Sequence, residues 1–375
     1  MKTRVKNRLA QIRKSRGIGA ADLAGRVEVS RQTIYAIEAG TYVPNTEVAL
    51  HLARELGVSV DELFSLQSSS PKPPDLLATE VLSVRPQVKG QPVRICRIGS
   101  RWVSVPVIAS PYYMPEADGV IERTGRVKGR ADLAVFAKEE AGHKRIVVAG
   151  CDPASSLLSR MVERISGVEI VSAAASSRLA LTWLSEGKVH IAGSHLEDEA
   201  TGEFNLPYLR SEFPGEDFCV VTLARWEEGL IVAPGNSKGI RKIEDLARKN
   251  VRFVNRETGS GSRGLLDRLL DKAGIECKRV QGYEKVAYGH LAAAHCVVSS
   301  EADVCLATRS AAQAFGLDFI ALHSERYDFV MHKNTADLPA TKALLDVLQR
   351  TELRRMLEVL AGYDTSKTGE VISMA

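Results

Sequence analysis

The stretch that decides the fold of the N-terminal region is VSRQTIYAIEAGTYVPNTEVALHLARELGVSVDELF (residues 29–64). Residue types that cap helix N-termini precede each apolar-periodic segment: Ser30 before RQTIYAIEAG, Asn45 before EVALHLARELG, and Ser59 before VDELF. Glycine, the common residue just past a helix C-terminus, ends the first two segments. The stretch therefore predicts three short helices in succession.

Two more helices are predicted upstream of this stretch. Val5, Leu9 and Ile12 recur at helical spacing within a basic segment, and residues 20–27 form a short second helix. Residues 1–66 are therefore expected to form an all-α domain of five helices.

A short helix followed by a helix with polar N-terminal residues is the arrangement of a helix-turn-helix, whose second member enters the major groove of DNA. Arginine and glutamine pair bidentately with guanine and adenine, and basic side chains attract phosphates. The residues expected to contact DNA are Ser30, Arg31, Gln32, Thr33, Tyr35, Arg13 and Lys14.

The segment from Arg8 to Phe64 resembles the Cro/repressor-like (Xre-type) DNA-binding domains. This resemblance implies double-stranded operator DNA as a partner. The family commonly opens its second helix with a Ser-Gln pair, where this chain has Gly19-Ala20, so one anchoring contact to phosphate is expected to be weaker. One such domain covers one half-site, so a homodimer or a higher homo-oligomer is expected.

Composition limits the class of protein. The chain has 375 residues, 45% of them hydrophobic and 26% charged, and a net charge of only +4, so any DNA contact must come from a local basic patch. Its six cysteines form no CxxC pair, which argues against a structural zinc site and a disulfide framework. The sequence shows neither a signal peptide nor a membrane span, so we expect a cytoplasmic protein without membrane contact.

The domain organisation changes after Leu66. The Ser/Pro-rich run QSSSPKPPD opens a linker at residues 67–80, and from residue 81 to 375 apolar strand patterns alternate with amphipathic helices. This alternation predicts an α/β domain with parallel sheets in two lobes. The segment 81–141 is expected either to complete the first lobe or to form a dimer contact.

Three segments at predicted strand ends carry ligand-binding chemistry: GCDPASSLL (150–158), VHIAGSHLED (189–198) and NRETGSGSRGLLD (255–267). Ligands bind beyond the carboxyl ends of parallel strands, and helix N-termini attract anions. Simpler alternatives exist for each segment. The glycines and serines can form an ordinary capped turn, Arg263 can pair with Glu257 or Asp267, and His195 can be a hydrogen-bonded structural residue.

The colinear series AGCDPASSLL, VHIAGSHLED, VRFVNRETGSGSRGLLDRLL and AFGLDFIALHSERYDFVM resembles the periplasmic-binding-protein-like domain that is described as molybdate-binding. The resemblance covers residues 147–331 and implies a type II fold of two lobes, with a hinge near 219–233 and a second lobe at about 234–316. It places ligand-binding residues at Asp152, Ser155, Ser176, Ser177, Ser194, His195, Ser260, Ser262, Arg263, Tyr283 and Tyr327. Glu257 replaces the family's glutamine, and a carboxylate facing the cleft would repel a tetrahedral dianion.

Together these features predict a one-component transcription regulator that senses a small anion, with a molybdate- or tungstate-like oxyanion favoured. An organic carboxylate or phosphate is the alternative ligand. An enzyme acting on a small anion, with an autoregulatory DNA-binding domain, is the alternative of another class, and a scaffold for protein partners is a third. Spacing alone assembles no paired carboxylates, nucleophile–base set or metal cluster, so we expect no enzyme, no metal and no cofactor.

Overall fold

A computed structural model describes residues 5–66, 76–107, 116–127, 129–136 and 144–372. The chain divides into two compact units, Met1–Asp75 and Leu76–Ala375. Most of the predicted linker, residues 67–75, lies outside the described part of the chain.

The N-terminal unit consists of five short helices and a small antiparallel pair of strands. In chain order they are β1 (Val5–Asn7), α1 (Leu9–Ser15), α2 (Ala20–Arg26), α3 (Arg31–Glu38), α4 (Thr46–Leu56), α5 (Val60–Leu63) and β2 (Phe64–Leu66). The predicted caps are confirmed, because Ser30 accepts a hydrogen bond from the Thr33 amide and Asn45 accepts one from Val48. Apolar side chains from all five helices form one core under the helix-turn-helix.

The first predicted helix begins later than its apolar spacing indicated. Val5–Asn7 is extended and pairs with Phe64–Leu66, so Val5 belongs to a strand. Asn7, the last residue of this strand, supports the turn into α1, because its Oδ1 accepts a hydrogen bond from the Leu9 amide at 2.8 Å while its Nδ2 donates to the Ile37 carbonyl. A long-range pairing thus overrides a local helical pattern.

Residues 76–135 form a closed five-stranded barrel, whereas the sequence analysis assigned most of this segment to the two-lobed domain or to a dimer contact. Its strands are β3 (Leu76–Val81), β4 (Pro92–Ile98), β5 (Arg101–Pro106), β6 (Gly119–Thr124) and β7 (Arg130–Val135), in the order β3-β5-β4-β6-β7. Alternate residues such as Val93 and Ile95, or Ala131 and Leu133, point into a core of its own. Short strands of period two can therefore close on themselves here, and Cys96, Val103 and Val105 of the barrel also pack in one hydrophobic cluster with residues 180–184 of the following part.

The two-lobed part begins at residue 145 and contains a continuous sheet of nine strands flanked by helices. In chain order its elements are β8 (Arg145–Gly150), α6 (Ser155–Ser166), β9 (Glu169–Ala174), α7 (Ser177–Ser185), β10 (Ile191–Ser194), α8 (Leu206–Glu212), β11 (Phe218–Val232), β12 (Phe253–Arg256), α9 (Gly261–Lys272), β13 (Val286–Ala287), α10 (His290–Val298), β14 (Val304–Thr308), α11 (Arg309–Phe315), β15 (Asp318–His332), α12 (Lys333–Ala336), α13 (Pro339–Leu348), α14 (Thr351–Met356) and β16 (Val371–Ile372).

Two long antiparallel strands, β11 and β15, connect the lobes. They pair along most of their length, with register shifts at Thr222/Ala224 and Glu228/Gly229. One half of this ribbon continues into β10, β8 and β9, which we call the first lobe, and the other half into β14, β12 and β13, the second lobe. The segment expected to contain the hinge, residues 219–233, is almost entirely one strand of this ribbon, and that strand crosses both lobes.

Each lobe buries its sheet on both faces, which explains why its strands are nearly continuous apolar runs. Two hydrophobic clusters cover the first lobe and two cover the second. Polar residues that follow β8, β10 and β12, among them Cys151, His195 and Ser260, therefore face the gap between the lobes. The expected fold class, a helical helix-turn-helix unit plus a two-lobed α/β domain, is confirmed.

Candidate functional site

The first helix turn of α3 presents exposed polar side chains. Arg31 and Gln32 are exposed, and Tyr35 keeps 44% of its surface accessible. Arg31 Nη2 donates to the Tyr35 hydroxyl at 2.9 Å, and its guanidinium lies 5.3 Å from the centre of the tyrosine ring. Ser30 and Thr33 are occupied with capping the helix. Arg31, Gln32 and Tyr35 are therefore the side chains of α3 that are available to base edges.

Arg13 does not have the role expected from its charge. It is 7% exposed, and its Nε donates to Glu38 Oε1 at 2.6 Å while Nη1 donates to the Ile18 carbonyl at 2.7 Å. An arginine engaged in this way stabilises the packing of α1 on α3 and cannot reach a phosphate. Lys14, the next residue, is exposed and remains available.

The second unit has a cleft of about 410 Å³ between the lobes. The first lobe contributes Arg178 and His195 to its walls, and the second lobe contributes the Gly-Ser loop and Arg263. Glu325, from the ribbon that connects the lobes, lies at the bottom. Three separate parts of the chain thus meet where the strand ends converge.

Adjoining this cleft, and sharing His195 and Glu325 with it, lies a polar cluster whose residues are buried except for the partly buried Cys151. His195 Nδ1 is 2.5 Å from Glu325 Oε2, and its Nε2 is 3.4 Å from Cys151 Sγ. Glu228 accepts a hydrogen bond from Ser262 at 3.0 Å, and the ring of His290 lies 5.9 Å from that of His195. The cluster joins residues of both lobes and of the connecting ribbon.

The electrostatics of the cluster are dominated by burial and by close opposite charges. Burial lowers the pKa of His195, but the Glu325 carboxylate and Cys151 more than offset this and raise that pKa well above its usual value. Burial and repulsion from Glu325 raise the pKa of Glu228 to about 8. Burial lowers the pKa of His290 far below its usual value, so this imidazole is neutral.

The second lobe carries a further buried ion pair. Arg256 donates to both oxygens of Glu257, at 2.9 and 3.0 Å. Burial tends to raise the pKa of Glu257, but Arg256 outweighs it and the pKa is lowered. The carboxylate that we expected to repel an anion is therefore neutralised by the residue before it.

Glycine permits two close approaches in the site. A Cβ on Gly261 would lie 2.4 Å from Cε1 of His195, and a Cβ on Gly193 would lie 1.9 Å from the hydroxyl oxygen of Tyr327. The loop before α9 therefore packs directly on His195 across the cleft, and Tyr327 passes over the end of β10.

The structure distributes the predicted ligand-binding residues over three places. His195, Ser262 and Tyr327 belong to the buried cluster, with Ser194 and Ser177 beside it, since the Ser177 hydroxyl accepts from the His195 amide. Ser260 and Arg263 line the open cleft, and Ser176 lies near Gly259 at its rim.

The others lie elsewhere. Asp152 accepts a hydrogen bond from Tyr363 at 2.6 Å and, with Ser155, lines a separate cavity of about 180 Å³. Burial raises the pKa of Asp152 to about 6. Tyr283 does not enter the cleft, because its hydroxyl donates to Asp267 while its ring supports the Arg263 guanidinium.

Sequence reasoning missed four members of the cluster, namely Cys151, Glu228, His290 and Glu325, and also the neighbouring Arg256 and Trp226, whose Nε1 lies 3.5 Å from Glu325 Oε2. It found no nucleophile–base set, because 44 residues separate Cys151 from His195 in the chain. The structure assembles this thiol–imidazole–carboxylate set. A usable signal was present, since Glu228 and Glu325 interrupt buried apolar strands, where an ionisable residue requires a partner.

Comparisons with known proteins identify both parts of the chain. Residues 158–349 match the family described as PBP superfamily domain. The chain belongs to this family. Residues 7–69 match a helix-turn-helix domain family, so the two resemblances inferred from the sequence are confirmed.

Proteins of similar sequence match each of the two parts of the chain. The uncharacterized protein YvgK of Bacillus subtilis (strain 168) is 35% identical over 234 residues, which are 62% of this chain and 75% of that protein. The uncharacterized HTH-type transcriptional regulator MJ0272 of Methanocaldococcus jannaschii is 40% identical over 60 residues, 16% of this chain and 91% of that protein.

Solved structures match the PBP-like part more distantly. The tungstate ABC transporter from Geobacter sulfurreducens has a TM-score of 0.44 and 16% identity, covering 58% of this chain and 98% of that chain. A likeness at this level says nothing about the ligand of the present chain.

The protein therefore combines a helix-turn-helix domain, whose partner is DNA, with a PBP superfamily domain, whose ligand is a small molecule. Within the described residues, no helix is both long enough and apolar enough to cross a bilayer.

Proposed function

We propose that this protein is a one-component transcription regulator whose DNA binding is controlled by a small organic anion held between the two lobes. The observation that carries the proposal is a pair of arginines in the cleft, Arg178 from the first lobe and Arg263 from the second. Among the described residues, neither has a carboxylate within 4.0 Å. Two guanidinium groups without an ion-pair partner facing one cleft favour an anionic group between them that contacts both lobes, although Asp198, Asp267 and Glu325 also line this cleft.

Each arginine lies on an aromatic ring. The Arg178 guanidinium is 4.7 Å from the centre of the Tyr208 ring, and that of Arg263 is 4.8 Å from the Tyr283 ring. Stacking of this kind orients a planar guanidinium without neutralising it. The sequence predicted that Tyr283 binds the ligand itself. We propose instead that Tyr283 positions Arg263.

The N-terminus of α9 adds to the attraction. Ser260 caps this 12-residue helix, and its first-turn amides carry the positive end of the helix dipole. The loop that precedes the helix lines the same cleft. An anion between the arginines therefore also lies close to a helix N-terminus.

The size and the charge of the cleft bear on the class of ligand. A volume of about 410 Å³ falls in the usual range of sites for small organic molecules. Planar guanidinium groups suit carboxylate and phosphate, and the Glu325 carboxylate at the bottom disfavours a bare dianion there. We therefore favour an organic phosphate or carboxylate over molybdate or tungstate, which stay as the alternative ligands.

Calorimetric titration tests the ligand. The full chain is titrated with molybdate, tungstate, sulfate, phosphate and a panel of phosphorylated and carboxylated metabolites. Loss of one charge-assisted contact, in R178A or R263A, is expected to weaken binding about 10- to 100-fold. R268A is the matched control, because Arg268 lines the same cleft but already pairs with Glu197 at 3.0 Å. Equal losses in all three variants would contradict the proposed contacts.

DNA binding is tested separately, with duplexes selected from a random pool by the wild-type chain. Q32A should weaken binding by about 1–3 kcal/mol, since a bidentate contact to a base is lost, whereas E47A on the exposed side of α4 should not. We propose that a homodimer binds two half-sites and that ligand changes their affinity about 5- to 150-fold. Affinity that does not move with any bound ligand would refute the regulatory coupling but not the DNA binding.

A further inference from the structure

We infer that the buried cluster adjoining the cleft is a transition-metal site, with Cys151, His195 and His290 as ligands. The donor atoms of these three residues lie within 4.8 Å of one another. Two of the ligands come from the first lobe and one from the second. This inference does not rest on the proposed anion site, which is formed by Arg178, Arg263 and the N-terminus of α9, although His195 and Glu325 also line the cleft.

The first argument is the orientation of His195. Its Nδ1 lies 2.5 Å from Glu325 Oε2, so Nδ1 carries the proton that is shared with this carboxylate. Histidines that bind metals almost always donate their second nitrogen to a carboxylate or carbonyl in this way. The remaining nitrogen, Nε2, faces Cys151 Sγ at 3.4 Å.

The second argument is His290, which is fully buried and has neither ring nitrogen hydrogen-bonded within the described part of the chain. A buried imidazole without partners is costly unless something absent from the protein atoms satisfies it. Glu228 Oε1 lies 3.8 Å from its Nδ1, and Oε2 of the same carboxylate is also without a partner. His290 thus lies beside a carboxyl group, as His195 does, but without the hydrogen bond that His195 makes to Glu325.

The third argument is charge. The cluster contains the Glu228 and Glu325 carboxylates, and the nearby Arg256 is already matched by Glu257 at 2.9 Å. Glu325 has the His195 imidazole as its partner, whereas Oε2 of Glu228 has none within the described residues, and an unpartnered buried carboxyl is unfavourable. A divalent cation would give Glu228 a counter-charge, taking the place of the proton between Cys151 Sγ and His195 Nε2.

The donor set indicates which cation. One thiolate and two imidazoles suit the borderline and soft metals, above all Zn²⁺, and do not suit Mg²⁺ or Ca²⁺, which prefer oxygen. Three protein ligands leave a coordination position open for water or another small ligand. Because the ligands span both lobes, a bound cation would hold the lobes together.

The test uses the full chain without a histidine tag, freed of metal by a chelator. Zn²⁺ affinity is measured by competition with a chromophoric chelator, and Co²⁺ is added to a second sample to detect the thiolate-to-metal charge-transfer band. We expect one Zn²⁺ per chain. C151S and H290Q should each weaken binding more than about 100-fold, and E325Q about 10- to 100-fold. C151S should also abolish the charge-transfer band with Co²⁺.

Matched controls separate ligation from misfolding. H295Q and C277S change an exposed histidine of the same helix and a half-buried cysteine away from the cluster, and should leave Zn²⁺ affinity unchanged. R263A should weaken anion binding and spare Zn²⁺. Circular dichroism checks that each variant is folded. A wild-type chain that binds no Zn²⁺, or folded C151S and H290Q variants that bind it as well as wild type, would overturn the inference.

Discussion

Replacing Gly261 by alanine tests whether the two lobes pack against each other through this residue. Gly261 is the first residue of α9, and alanine can adopt its backbone conformation because φ is not positive. The added Cβ, however, would lie 2.4 Å from Cε1 and 2.5 Å from Nδ1 of His195. The substitution therefore acts on the contact between lobes and not on the folding of α9.

The His195 ring has little freedom to move away. It is 1% exposed and is fixed by Glu325 on one side and Cys151 on the other. Overpacking a site of this kind costs about 1–3 kcal/mol. The arrangement in which the lobes touch should therefore become about 5- to 150-fold less populated relative to an opened one.

Hydrogen exchange measures this directly, because the amides at residues 194–198 and 259–264 become accessible when the lobes separate. We expect faster exchange in these two segments and unchanged exchange in the barrel. G264A is the control. There the nearest heavy atom to a new Cβ is Arg268 Nη1 at 3.7 Å, so alanine should stabilise the helix by about 0.5–1 kcal/mol. Wild-type exchange in G261A, or equal acceleration in G264A, would refute the reasoning.

The remaining predictions concern stability. R13A should destabilise the N-terminal unit by about 3 kcal/mol in chemical denaturation, because it leaves Glu38 buried without its partner, whereas K14A should change stability by less than about 0.5 kcal/mol. His190 should make stability depend on pH. Burial lowers the pKa of His190 to about 4, and its Nδ1 accepts a hydrogen bond from the Val147 amide. As the pH falls, this histidine therefore binds a proton in the unfolded chain at a higher pH than in the folded chain. The unfolding free energy of wild type should thus fall, relative to H190Q, by roughly 3 kcal/mol as the pH drops from about 6.5 to 4. Parallel pH profiles for the two proteins would contradict this.

Local signals predicted much of the fold. Ser30, Asn45 and Ser59 each cap the helix that follows them, and the apolar run at 145–150 forms a strand with a neighbour on each side in the sheet. These signals depend on neighbouring residues in the chain, so they can be read without tertiary contacts.

The barrel at residues 76–135 was not predicted, although its strands alternate as expected. Alternation tells which side of a strand is buried but not which strands pair. The pairing of β3 with both β5 and β7 closes the sheet, and it joins segments separated by turns and by residues outside the described ranges. Closure of the barrel therefore depends on how all five strands pair, which the pattern of any single strand does not reveal.

What the sequence determined by itself is the class of protein: a helix-turn-helix unit followed by a two-lobed ligand-binding domain, with polar residues at the strand ends. Only the tertiary structure decided which polar residues meet. It paired Arg13 with Glu38, Glu257 with Arg256, and His195 with Glu325 across 130 residues. A buried charge takes the partner that the fold brings within hydrogen-bonding distance, and that distance depends on strand order and register, which no local pattern encodes.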